Sequence, residues 1–172
     1  MIRFMRHGVI TDYDPGAFVS ISTLAYEYPS RYTVPEHAHG SGQLIYATRG
    51  VMEISAARRF WLVPPQFGLW IPPCTLHSIR MPGPVAMRTL YLKRGLADRM
   101  PGSCTVMQVR PLMRELIVEI VAIGKLSVRN RLHCALRDVM RAELSNATSV
   151  ETGLELPRDP RALAVARRCL DE

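Results

Sequence analysis

The stretch that decides the fold reads His37-Ala38-His39-Gly40-Ser41-Gly42-Gln43, and six residues separate its last residue from Gly50. In an extended strand alternate side chains share a face, so His37 and His39 point the same way. A turn at 40–42 would return the chain and present Gln43 from the neighbouring strand. His77, far along the chain, could complete a set of three imidazoles and one amide. Because zinc, nickel and iron(II) all accept imidazole nitrogen, His37, His39, Gln43 and His77 are candidate ligands for one divalent transition metal.

The segment around this stretch, from about residue 18 to residue 92, has the pattern of β structure. It consists of short runs rich in β-branched and aromatic residues. Turn signals separate the runs, at Arg49-Gly50, Pro64-Pro65, Pro72-Pro73 and Met81-Pro82-Gly83-Pro84. Several short strands at this spacing predict a mostly β protein, built as a barrel or jelly roll.

After about Arg110 the hydrophobic period becomes helical. Pro111 suits a first helical turn, and an apolar stripe then runs to a stop near Gly124. A second helix follows, with one apolar face formed by Leu132, Ala135, Leu136, Val139 and Met140. The two helices predict a helical hairpin, which either packs on the barrel or forms part of a homodimer seam. A third helix is predicted to begin at Asp159-Pro160, after a polar linker.

Composition narrows the class of protein. The chain has 172 residues, of which 48% are hydrophobic, and no run approaches the roughly 18 apolar residues of a membrane span. The first residues contain neither a long apolar stretch nor a small-residue cleavage site, so the sequence predicts no secretion signal. The net charge of +7 indicates a generally basic surface. The alternative interpretation is that this charge contributes weakly to association with DNA. The four cysteines are far apart and predict free thiols in the cytoplasm; they are Cys74, Cys104, Cys134 and Cys169.

The two histidine clusters resemble the motifs of the cupin superfamily. Gln43 stands where metal-binding cupins usually carry a glutamate, and Cys74 stands where the second motif usually has glycine. The order of the pieces resembles, more specifically, the amino-terminal sensor domain of AraC-family transcription regulators. The segments that carry this resemblance are 37–52, 61–65, 69–72, His77, 87–91, 109–116 and 159–163.

The resemblance implies a cupin-type sensor barrel with an N-terminal arm at 1–108, dimerisation helices at 109–146, and a linker with the start of a DNA-binding region at 147–172. It implies a small-molecule effector, a homodimer, and DNA binding through a carboxyl-terminal helix-turn-helix domain that this chain lacks. An effector inside the barrel would meet apolar walls with a few polar anchors. The candidate lining residues are Tyr46, Met52, Trp61, Trp70, Met87 and Tyr91, although such residues on short strands are more often simple core.

Other functions fit parts of the pattern. A standalone cupin enzyme, a dioxygenase or isomerase, could use a metal held by the three histidines. Against it stand the missing carboxylate and the lack of a general base other than Glu36 or Glu53. The histidines could also bind no metal, and instead line an organic-ligand pocket or be satisfied by hydrogen bonds in the core. A structural or storage cupin is a third class of function. The prediction is a sensor rather than an enzyme, with no catalytic residue.

Overall fold

The computed structural model describes residues 16–171, so the predicted N-terminal arm and the start of the chain lie largely outside the described residues. The strands are β1 (Val19–Tyr28), β2 (Tyr32–His37), β3 (Gly42–Arg49), β4 (Met52–Ala56), β5 (Arg59–Val63), β6 (Phe67–Ile71), β7 (His77–Met81), β8 (Val85–Leu92), β9 (Thr105–Gln108), β10 (Lys125–Ser127), β11 (Ser149–Val150) and β12 (Leu154–Glu155). The helices are α1 (Arg94–Ala97), α2 (Pro111–Ile123), α3 (Arg131–Ser145) and α4 (Pro160–Asp171).

The strands form two antiparallel sheets that face each other. One sheet has the order β10-β1-β8-β3-β6-β9-β11, and the other has the order β12-β5-β4-β7-β2. Side chains from the facing surfaces form an inner core that includes Ile45, Met52, Ile54, Leu69 and Ile79. This arrangement confirms the predicted mostly β, cupin-type jelly roll with attached helices.

A second core lies on the other side of the larger sheet, under the helices. It joins Leu44, Tyr46 and Trp70 of the sheet to Ile117 of α2 and Met140 of α3. Strand β3 is therefore covered on both faces and six consecutive residues, 42–47, are buried. A strand covered on both faces need not alternate apolar and polar residues, which is why residues 44–47 form one apolar run.

Helix α2 begins and ends where the sequence predicts, and α4 begins where it predicts. Helix α2 starts at Pro111, and Gly124 follows its last residue with a φ of 85°. Asn130 caps α3 by accepting a hydrogen bond from the backbone N–H of His133 at 3.2 Å. The Asp159 carboxylate accepts hydrogen bonds from the backbone N–H groups of residues 161 and 162 at the start of α4. These local caps satisfy backbone donors that the first helical turn leaves unpaired.

The linker, which the sequence predicts at residues 145–156, is held against both sheets. It pairs with β9 through β11 and with β5 through β12. Between these strands Gly153 lies on the Trp61 ring, where a Cβ would be 2.5 Å from the indole nitrogen. Arg59 pairs with Glu155 at 3.0 Å. The chain leading to α4 therefore starts from a defined position on the barrel.

Within residues 16–171, no helix combines the length and the apolar character needed to cross a lipid bilayer.

Candidate metal centre

Three histidines meet at one end of the space between the sheets. His37 ends β2 and lies directly opposite His77 of β7, after a bulge that begins at Val34. His39 follows β2 in the loop that leads into β3. The ring centroids of His37 and His77 are 4.2 Å apart, and those of His39 and His77 are 5.2 Å apart. One ring nitrogen from each histidine lies within 4.8 Å of the other two, so the predicted imidazole cluster is formed.

Each imidazole is oriented by a backbone carbonyl two residues away. The Nδ1–H of His37 donates to the carbonyl oxygen of Pro35 at 2.9 Å. In the same way His39 donates to Ser41 at 2.7 Å, and His77 donates to Thr75 at 2.8 Å. A carbonyl oxygen can only accept, so each Nδ1 must carry the proton. The remaining nitrogen of each ring, Nε2, then carries a lone pair if the ring is neutral. This is how metal-binding histidines are commonly held.

The environment keeps the two inner histidines neutral. His77 is fully buried and His39 is 5% exposed. Burial, with the nearby His37 adding to it, lowers the pKa of His77 to about 3. Burial also lowers the pKa of His39, although the hydrogen bonds that a protonated ring would donate to Gln43 and Ser41 oppose this shift. Neither ring is a cation at neutral pH, because the charged form of a buried group is poorly solvated.

The orientation of the Gln43 amide follows from a chain of hydrogen bonds. The Thr89 hydroxyl donates to the carbonyl oxygen of Leu44 at 2.9 Å, so its oxygen is left to accept. The Gln43 Nε2 donates to that oxygen at 3.0 Å, and the Tyr91 hydroxyl lies 3.4 Å from the same Nε2. The Gln43 Oε1 is thereby turned toward His39 Nε2, 2.8 Å away. Two acceptors face each other across this short distance.

A cation resolves the two unfavourable features of the cluster. The Nε2 atom of His77 is buried and has no hydrogen-bond partner. The lone pairs of His39 and Gln43 also lack a donor between them. Adjacent ligands about 2.1 Å from one ion are separated by about 3 Å when they subtend a right angle, close to the spacing of His39 and Gln43. The residues present therefore fit a divalent metal, and the idea that all three histidines are satisfied by core hydrogen bonds fails at His77.

The six predicted lining residues lie in three different places. Met52, Trp61 and Met87 belong to the packed inner core. Tyr46 and Trp70 project from the opposite face of the larger sheet into the core under the helices. Tyr91 alone lies beside the histidines, with its ring 5.1 Å from that of His39 and perpendicular to it. Contrary to the expectation from the sequence, Tyr46 and Trp70 therefore do not line the space between the sheets.

Thr89 is the site residue that sequence reasoning missed. It is fully buried, and it sets the direction of the Gln43 amide. Its position in the sequence could have indicated this role. Val85, Met87, Thr89 and Tyr91 alternate along β8 and share one face, and Thr89 places a small hydroxyl among larger side chains there. Cys74 is exposed, with a φ of 60°, and its thiol is not part of the ligand cluster.

Comparison with known proteins identifies the family. The model of the AraC-like ligand binding domain matches residues 18–156. The HTH-type transcriptional regulator NimR of Escherichia coli K12 is 36% identical over 86 residues, which cover 50% of this chain and 31% of NimR. The match thus spans about a third of that relative's length.

Solved structures share the fold at low sequence identity. ToxT from Vibrio cholerae O395, bound to (E)-4-(8-methylnaphthalen-1-yl)but-3-enoic acid, is 7% identical, with a TM-score of 0.56 over 72% of this chain and 54% of that one. ToxT from strain SCE256, bound to an unsaturated fatty acid, is 8% identical, with a TM-score of 0.55 over 73% and 52% of the two chains. Since the family model covers most of the sequence, this chain belongs to the AraC-like ligand binding domain family.

Proposed function

We propose that this chain is the effector-sensing and dimerisation part of an AraC-type transcription regulator, acting in the cytoplasm. Its barrel takes a small molecule, assisted by a divalent metal on His37, His39, His77 and Gln43. Binding there controls DNA recognition by a helix-turn-helix domain of the whole regulator. Membership of the ligand-binding family supports the sensing role, and so do the small carboxylic acids bound to ToxT. The relation to NimR supports the regulatory role.

The observation that carries the metal-assisted sensor is the arrangement of the histidine nitrogens. Three rings have their Nδ1 protons committed to backbone carbonyls, and the buried His77 Nε2 is left without a partner. A bound divalent ion supplies an electrophilic centre that attracts oxygen or nitrogen donors. The enzyme alternative has less support, because Glu36 is exposed and the Glu53 carboxylate accepts from Arg80 at 2.5 Å.

Metal analysis tests the site directly. The purified chain is expected to hold about one zinc, nickel or iron ion after dialysis, as four protein donors require. His77→Ala is expected to weaken metal affinity by at least ~100-fold. Even the residues that hydrogen-bond to a metal ligand typically change metal affinity by about 10–100-fold when they are replaced. Elemental analysis gives the stoichiometry, and competition with a chelating dye gives the affinity.

His133→Ala provides the matched control for His77→Ala. His133 lies in α3 and is not one of the clustered histidines. Its replacement is expected to leave metal content unchanged. Equal metal content in wild type and His77→Ala would show that any metal is held elsewhere, and the metal part of the proposal would then fail.

The surface proposed for dimerisation is the exposed side of α3. Leu132 is 62% exposed and Val139 is 43% exposed, while Met140 and Leu144 of the same helix are buried against the sheet. Ala135 and Ala142 are also exposed. The spacing of these residues, in steps of three and four, forms an apolar stripe along one face, which suits packing against the same helix of a second copy.

A charge placed in this stripe is expected to separate the dimer. Val139→Glu would bury two unpaired carboxylates per dimer and raise the dissociation constant by ~100-fold or more, measured by sedimentation velocity. Leu62→Glu is the control, because Leu62 is a similarly exposed apolar residue on β5. A wild-type chain that stays monomeric at high concentration, or a Val139→Glu chain that remains dimeric, would contradict this interface.

A further inference from the structure

We infer that the effector is a small anion, and specifically a small molecule that presents a carboxylate to the histidine cluster. The inference rests on the metal site proposed above and deepens it. His37, His39, His77 and Gln43 are all neutral donors when their Nε2 and Oε1 atoms face an ion. A divalent cation held by these four groups keeps both of its positive charges. A glutamate at position 43 would cancel one of them, and this chain has glutamine there.

No protein carboxylate compensates this charge within the described part of the chain. The cluster of potential ligand atoms contains the three histidines and no aspartate, glutamate or cysteine. Glu36, the neighbour of His37, is exposed. The Glu53 carboxylate is engaged by Arg80. The whole chain is basic, with a net charge of +7, so the background field also favours an anion.

Burial raises the free-energy cost of a metal charge that no protein anion neutralises. Gln43 is 1% exposed and His39 is 5% exposed, and His77 has no exposed surface. Charge in such a place is poorly screened and is stabilised only by a partner of opposite sign. An anionic ligand therefore gains more from this site than a neutral ligand of the same shape.

Two residues of the cluster's surroundings retain solvent exposure. His37 and Tyr91 are only partly buried, whereas the inner core behind the cluster is closely packed. The Tyr91 hydroxyl lies beside the Gln43 amide. We therefore infer that the carboxylate reaches the cluster from the side of His37 and Tyr91, the two partly exposed residues there.

Cobalt(II) and a pair of matched probes test the inference on the whole chain. Cobalt replaces the native metal and reports changes in its surroundings through its visible absorption spectrum. Lactate and lactamide are then titrated, because they differ mainly in charge. We expect lactate to bind the cobalt-loaded chain at least about tenfold more tightly than lactamide, and to show no binding to the metal-free chain.

Gln43→Glu supplies the charge that the site lacks. The variant is expected to bind cobalt more tightly and to bind lactate about tenfold more weakly. The new side-chain carboxylate would neutralise one metal charge in place of the lactate carboxylate. Gln66→Glu is the matched control: it adds the same charge at an exposed position just before β6, whose other end pairs with Gln43. Lactate affinity in that control should equal the wild-type value.

The outcomes separate the two proposals. Cobalt binding with equal affinity for lactate and lactamide, or a Gln43→Glu chain that binds lactate as wild type does, overturns the anionic effector and leaves the metal site standing. A wild-type chain that binds no cobalt overturns both. If Gln43→Glu fails to fold, the ratio of lactate to lactamide affinity in the wild-type chain decides the question.

Discussion

Replacing Gly50 by alanine is expected to lower the free energy of unfolding by about 3 kcal/mol, the sum of backbone strain and steric overlap. Gly50 connects β3 to β4 with a φ of 84°, which residues with a Cβ rarely adopt. An added Cβ would lie 2.3 Å from the Pro84 carbonyl oxygen and 3.0 Å from the Val85 Cα. Both are backbone atoms of the adjoining strand connection, so neither can move away by rotating a side chain. Urea unfolding followed by tryptophan fluorescence measures the loss.

Two other glycines separate the contributions at Gly50. Gly124 has a similar φ of 85° but open space around it, so Gly124→Ala is expected to cost only the backbone strain, about 1–2 kcal/mol. Gly102 has neither a positive φ nor a neighbour within 4 Å, and Gly102→Ala should be nearly neutral. If Gly50→Ala were no more destabilising than Gly124→Ala, the close approach of the 84–85 backbone would not matter.

The metal-free protein is expected to lose stability steadily as the pH falls below about 6.5, the ordinary pKa of histidine. The folded state holds the pKa of His77 at about 3 by burial. Between these two values the unfolded chain binds a proton that the folded chain does not, so acid favours unfolding. The stability present above pH 6.5 is lost at up to ~1.4 kcal/mol per pH unit from His77 alone. His39, whose pKa is also lowered, adds to the loss.

Urea denaturation in the presence of a chelator at several pH values between 7.5 and 4.5 measures this dependence. His77→Leu is expected to flatten the curve, because the unfolded variant no longer gains that proton. Ile79→Val is the control, since it removes one buried methyl group nearby on β7 and no titrating group. Carboxylates that titrate in the same range contribute equally to wild type and to each variant. Their contribution therefore cancels when the free energies of unfolding are subtracted. Parallel curves for wild type and His77→Leu would refute the assignment.

Much of the candidate site could be predicted, because its residues belong to local patterns. The spacing of His37 and His39, the return through Gln43 and the isolated His77 were enough to expect one cluster, and the three histidines do meet. The detailed reading was less complete. His39 lies beyond the end of β2, and the register of β2 with β7 shifts between Val34 and His37.

The lining residues show where sequence patterns fail. Tyr46 and Trp70 belong to strands that are covered on both faces, by the smaller sheet on one side and by helices on the other. Such strands carry apolar residues on both faces, so the pattern does not tell which face a side chain occupies. Thr89 was missed for a related reason: its contact with Gln43 joins residues 46 positions apart in the sequence.

The sequence by itself determined the short strands, the turn at Gly50, and the helix limits at Pro111, Gly124 and Asp159. These features depend on φ preferences, caps and periodicity within a few residues. Only the tertiary structure decided that residues 149–155 pair with β9 and β5, and that Thr89 turns the amide oxygen of Gln43 toward His39. Those contacts depend on strand register and on the stacking of two sheets. Both arise from the burial of surfaces that are distant in the sequence.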